Sequence, residues 1–150
     1  MRGIGRILYS IGVALGGGPM VMNSIVPCGG IGLSEASSVL LDKIEEIGDT
    51  HAEIYLPDAE LKIYRKDEVA EAYLLAEVSK IEYIAEKMDC DDFAAMAYGK
   101  FLGLVWTNTH ALNWFIDEDE TFWFVEPQKA LLARDLEGWQ GNNIRFFIGR

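Results

Sequence analysis

The chain has 150 residues, half of them hydrophobic, and a formal net charge of −11. That length suits one domain with a real core, and the acidic balance argues against DNA, RNA or an anionic membrane as the main partner. Two cysteines, Cys28 and Cys90, could pair, but a secreted disulfide scaffold usually carries more, which points to a reducing compartment.

No apolar run reaches membrane-spanning length without glycine or polar breaks, so the chain is not expected to be an integral membrane protein. Residues 1–33 hold Arg2 and Arg6 and no acidic residue, leaving all of the negative charge to the rest. This stretch is glycine-rich, with Gly16-Gly17-Gly18 and Gly29-Gly30 among its breaks. It resembles a signal peptide in its basic start and apolar Ile7–Leu15 run, yet no A-x-A site follows. The other reading is an extended arm docking on a neighbouring subunit. Either way it is expected as an appendage to a domain over 34–150.

The first helix is predicted from Ser34 to Ile47, with Ser34 as N-cap and Gly48 as C′ residue. Val39, Leu40, Ile44 and Ile47 share a face, and Asp42, Lys43, Glu45 and Glu46 make the wet one. His51–Leu56 and Leu61–Tyr64 read as strands around a turn at residues 57–60. Asp67 caps a second predicted helix, Glu68 to about Val78. A third runs from Cys90 to about Leu102, with Asp89 as its N-cap and Gly103 as its stop. Strands are predicted at Leu104–Trp106, His110–Ile116 and Thr121–Glu126, with Asp117–Glu120 as a solvated hairpin loop. Gln128–Leu136 reads as a short helix or turn, and Ile144–Ile148 as the last strand. Helices followed by an antiparallel meander give an α+β fold.

Cys90 at a helix start meets unpaired N–H groups and the positive end of the dipole, which favour a thiolate. Its aspartate neighbours oppose this, since negative charge raises a thiol pKa. They need another task, such as capping or metal binding. A lone cysteine is otherwise commonly a small buried hydrophobe. A hairpin centred near Glu118 places His110 across from Glu126, where a carboxylate would fix the imidazole tautomer. Asn113 falls on the opposite strand face from His110. His51 has no such setting and reads as surface or structural. Trp106, Trp114, Trp123 and Trp139 line either a cleft or the core. A helix-start cysteine, a strand histidine and a carboxylate on the next strand form the layout of papain-like and transglutaminase-like hydrolases.

Three segments in this order are also familiar: Asp89-Cys90-Asp91-Asp92-Phe93-Ala94, His110-Ala111-Leu112-Asn113 and Val125-Glu126-Pro127-Gln128. The pattern resembles phage and bacterial lectin-like domain proteins, which look like the papain-like C-terminal domain of the Marasmius oreades agglutinin, a calcium-dependent cysteine protease. The resemblance covers roughly residues 50–148. It implies Cys90 as nucleophile, His110 as general base and Glu126 as the group orienting it. It further implies Asp91, Asp92 and Gln128 as calcium ligands, hard oxygens that suit this ion. Two departures stand out: the interval from Cys90 to His110 is short, and no glutamine precedes Cys90 to serve an oxyanion hole.

The expected function is a phage-type cysteine hydrolase acting on a peptide or amide bond, in protein or peptidoglycan, with calcium as cofactor. One rival is a virion structural protein of the same fold, docked by its arm to neighbouring subunits. Another is a calcium- or ligand-binding module without turnover. The matching locations are the virion or the host cytoplasm.

Overall fold

A computed structural model describes residues 25–49, 51–75, 81–141 and 143–150. Most of the predicted arm (residues 1–24) and the predicted end of the second helix (residues 76–80) lie outside the described residues. The domain is α+β. In chain order it runs β1 Gly29–Gly32, α1 Leu33–Ile47, β2 Glu53–Tyr55, β3 Glu60–Ile63, α2 Lys66–Leu75, α3 Cys90–Tyr98, β4 Gly103–Thr107, β5 Ala111–Ile116, β6 Phe122–Glu126, β7 Leu131–Ala133, a 3₁₀ turn Gly138–Gln140 and β8 Ile144–Ile148.

Six strands form a mixed sheet in the order β2-β8-β4-β5-β6-β7, and β1 and β3 form a separate antiparallel pair. The run β4-β5-β6-β7 is the expected antiparallel meander. The predicted turn at residues 57–60 does not make a hairpin, because β2 joins β8 in parallel while β3 takes β1. Residues 128–136, predicted as a helix or turn, begin with a turn through Ala130 and continue as the edge strand β7. The arm boundary predicted at residue 33 falls inside paired structure, since β1 bonds to β3 and Ile31 is buried in the core.

The central strand β5 is buried along its whole length, and its alternation divides two apolar layers. Leu112, Trp114 and Ile116 pack with Leu40 and Ile44 of α1 and with Phe122, Phe124 and Phe147. Phe115 packs with Val125 and with Phe93 and Ala97 of α3. Fully burying an aliphatic or phenyl side chain of this kind stabilises the fold by roughly 1.5–3 kcal/mol.

Helix α1 begins one residue before the predicted Ser34, with Gly32 as its N-cap. It ends as read: Gly48 adopts φ 79°, and its N–H reaches the carbonyls of Ile44 and Glu45. One residue of its predicted wet face is not wet. Lys43 is 2% exposed, because its ammonium donates to the Arg134 carbonyl at 2.9 Å and pairs with Glu46 at 2.7 Å.

The solvated loop predicted at Asp117–Glu120 needs a similar correction. The Asp117 carboxylate is buried and accepts the N–H groups of Asp119 (3.0 Å) and Thr121 (2.9 Å) and the Trp123 indole N–H (2.7 Å). No helix among the described residues is long and apolar enough to cross a membrane.

Candidate functional site

Helix α3 starts where the sequence placed it, with Asp89 in extended conformation as N-cap and Cys90 as its first residue. The Asp92 carboxylate accepts the Asp89 N–H at 3.1 Å, and the Asp89 carboxylate accepts that of Glu86 at 3.0 Å. Both aspartates are thus engaged in shaping the helix start.

The half-buried Cys90 thiol faces two backbone N–H groups, those of Ala111 and Asp91. Burial pushes the thiol above its ordinary value, the Ala111 N–H pulls it down, and the Asp89 and Asp91 carboxylates push it further up. No hydrogen bond joins the sulfur to the imidazole, but Ala111 is the residue that follows His110. Both cysteines are free thiols, and Cys28 is exposed.

His110 stands at the turn from β4 into β5, which is organised by one hydroxyl. Thr107 Oγ1 accepts the His110 N–H at 2.9 Å and donates to the Gln140 carbonyl at 2.7 Å. The His110 ring is 7% exposed, and its Nε2 lies 2.7 Å from Glu126 Oε2, itself 2% exposed. Glu126 Oε2 also accepts the Gln140 carboxamide N–H at 3.2 Å, and Oε1 accepts the Gln128 backbone N–H at 3.3 Å. A buried carboxylate with donors on both oxygens is well held.

The predicted His110–Glu126 contact is present, but by a different register. The strands pair Asn113 with Val125 and Ile116 with Phe122, which centres the hairpin on Asp119 rather than Glu118. Asp117 draws Thr121 into the turn through its carboxylate and a backbone bond of 3.0 Å between Asp117 N and Thr121 O. The slip is two residues, so facing is preserved and the histidine meets Glu126 diagonally rather than directly across.

Asn113 is fully buried, and its carboxamide donates to Ala94 of α3 at 2.9 Å and to Gly103 at 3.0 Å. It pins the cysteine helix to the sheet instead of orienting His110. His51 is exposed, as read. Of the four tryptophans, Trp139 reaches the site: its half-exposed ring lies 5.0 Å from that of His110, with Lys129 Nζ 4.1 Å from its ring centroid. Trp114 is core, and Trp106 packs on Phe146.

The sequence reading missed Gln140 and the role of Trp139. Their signal was faint: Glu137-Gly138-Trp139-Gln140 has the capping-box spacing, but nothing local ties it to Glu126.

Of the expected calcium ligands, Asp91 and Asp92 follow Cys90 in α3, and Gln128 follows β6. Asp91 groups with Asp89 and Cys90, whose ligand atoms lie within 4.8 Å of one another. Asp92 is committed to the helix cap. Gln128 has a buried carboxamide nitrogen without a hydrogen-bond partner. Two carboxylates beside a soft sulfur fit a hard cation in part, since calcium takes six to eight oxygens.

No family model and no curated protein matches the chain. Solved structures do. The PSL1a–E64 complex matches at 20% identity with a TM-score of 0.65, covering 79% of this chain and 50% of that one. Polyporus squamosus lectin bound to the human-type influenza-binding epitope Neu5Aca2-6Galb1-4GlcNAc matches at 20% identity with a TM-score of 0.62, covering 79% and 49%. The chain therefore shares its fold with about half the length of a fungal lectin.

Proposed function

We propose that the chain is a papain-like cysteine hydrolase domain acting on a peptide or other amide bond, with Cys90 as nucleophile, His110 as base and Glu126 as its orienting partner. The observation that carries this reading is the buried 2.7 Å pair of His110 and Glu126, with the Cys90 thiol facing the backbone N–H of Ala111, the residue after His110. Because Glu126 occupies Nε2, Nδ1 is the nitrogen left for the thiol proton.

In the forward step Cys90 sulfur attacks the carbonyl carbon while its proton passes to His110 Nδ1. The amine then leaves with that proton, giving a thioester. Water, deprotonated by His110, releases the acid and restores the thiol. N–H groups at the start of α3 support the oxyanion. Calcium, the expected cofactor, would be held by Asp89 and Asp91 and would offset their charge beside the thiol.

The test is the rate of Cys90 alkylation by iodoacetamide across pH, with and without calcium, with His110→Ala as control and E64, a thiol-alkylating epoxide, as second probe. A reactive component below pH 7 that the variant lacks supports the reading. A single titration at or above the ordinary thiol value of about 8.5, the same in both proteins, overturns it.

The second reading is a binding module without turnover. It is favoured by the raised thiol and by the glycan named with one structural neighbour. Saturable binding of that trisaccharide, unaffected by Cys90→Ala, would select it. A virion role with docking by the arm, the third reading, rests on residues 1–33 and is read by whether removing residues 1–28 abolishes assembly.

A further inference from the structure

We propose that Gln140 is a positioning residue of this site. Its carboxamide fixes the Glu126 carboxylate and, through it, holds His110 with the proton on Nε2, which leaves Nδ1 as the acceptor for the thiol proton. This rests on the Cys90–His110–Glu126 reading given above.

Gln140 is 3% exposed. Its Oε1 accepts the Glu137 backbone N–H at 2.7 Å, which assigns the amide: oxygen on that N–H, nitrogen toward Glu126. Nε2 then donates to the same carboxylate oxygen that accepts from His110. The terminal torsion of a glutamate is broad, so one donor alone leaves the carboxylate free to turn. Gln140 on Oε2 and the Gln128 N–H on Oε1 remove that freedom.

The turn carrying Gln140 is anchored to the histidine itself. Thr107 Oγ1 bonds both the Gln140 carbonyl and the His110 N–H, so the two residues move with one hydroxyl. The chain leaves this turn through Gly141 at φ 80°, where a Cβ would sit 2.5 Å from Thr109 Oγ1. Only glycine fits both the left-handed backbone and that approach.

Two substitutions separate positioning from turn formation. Gln140→Glu keeps an acceptor for the Glu137 N–H, as a capping box allows, but sets a carboxylate against Glu126. Gln140→Met removes both bonds. The readouts are the ¹⁵N shifts of the His110 ring, which report its tautomer, and the rate of Cys90 carboxymethylation at pH 7.

Both variants are expected to lose the single Nε2–H tautomer and to react about tenfold more slowly, the scale of one hydrogen bond to a charged group. If Gln140→Glu keeps the wild-type tautomer and rate while Gln140→Met loses them, Gln140 only caps its turn and the inference is overturned. If wild-type Cys90 is indifferent to His110→Ala, the hydrolase reading fails, and the ¹⁵N spectrum still decides the role of Gln140.

Discussion

A buried ammonium group ties the first helix to the segment beyond the sheet edge. Lys43 is held by the Arg134 carbonyl and Glu46, with Asp135 at 3.7 Å. Lys43→Met should lower stability by about 1.5–3 kcal/mol in urea unfolding, the range for hydrogen bonds to charged groups. The Lys43 ammonium also holds the Glu46 carboxyl below its usual value. A depressed carboxylate stabilises above its unfolded pKa, and that contribution fades as pH falls through the folded value. The wild type should therefore lose a small increment of stability below about pH 4.5 that the variant lacks, and equal acid slopes would refute this. The sequence put Lys43 on the wet face because helical periodicity locates a side chain without showing what will cover it. The cover comes from residues about ninety positions later.

At the scale of elements, the β5–β6 hairpin sets the site, and Asp117 sets the hairpin. Its carboxylate satisfies two backbone N–H groups and an indole N–H. Asp117→Ala should cost about 1–3 kcal/mol, since partly buried donors are left unpaired, and should weaken the His110–Glu126 contact as the register relaxes. Loss of stability with an unchanged His110 ¹⁵N signature would separate the turn from the site. Helix α3 depends on Asn113 in the same way. Asn113→Ala removes the bonds to Ala94 and Gly103, and exchange of the Phe93 amide, bonded to the Asp89 carbonyl, should quicken as the helix start loosens; unchanged protection would refute this. The hairpin was legible because apolar residues alternate on either side of an acidic break. Its register was not, because a carboxylate turned inward lengthens the loop by two residues, which composition does not reveal.

At the scale of the whole molecule, the end of the glycine-rich segment belongs to the fold. Gly29–Gly32 pairs with β3, and Ile31 packs with Leu40 and Leu61. Removing residues 1–28 takes away Ile25, which packs against the core, and the Cys28 N–H bond to the Ile63 carbonyl at 3.0 Å. Removing residues 1–32 should cost about 2–5 kcal/mol more, as for truncating a buried isoleucine, read as a drop in the thermal midpoint between the two truncations. Equal midpoints would return β1 to the status of an appendage.

The sequence by itself determined the α+β class, the Gly48 cap, the Asp89–Cys90 helix start, the meander from β4 to β6 and the last strand. These follow from local physics: periodicity, capping chemistry and the conformational freedom of glycine. It also brought His110 to Glu126, since a two-residue slip leaves strand faces unchanged. Only the tertiary structure decided the parallel pairing of β2 with β8, the β1–β3 pair, the burial of Lys43 and Asp117, and the arrival of Gln140 beneath Glu126. Each joins residues far apart in the chain, where partner and cover depend on how whole layers pack rather than on any local pattern.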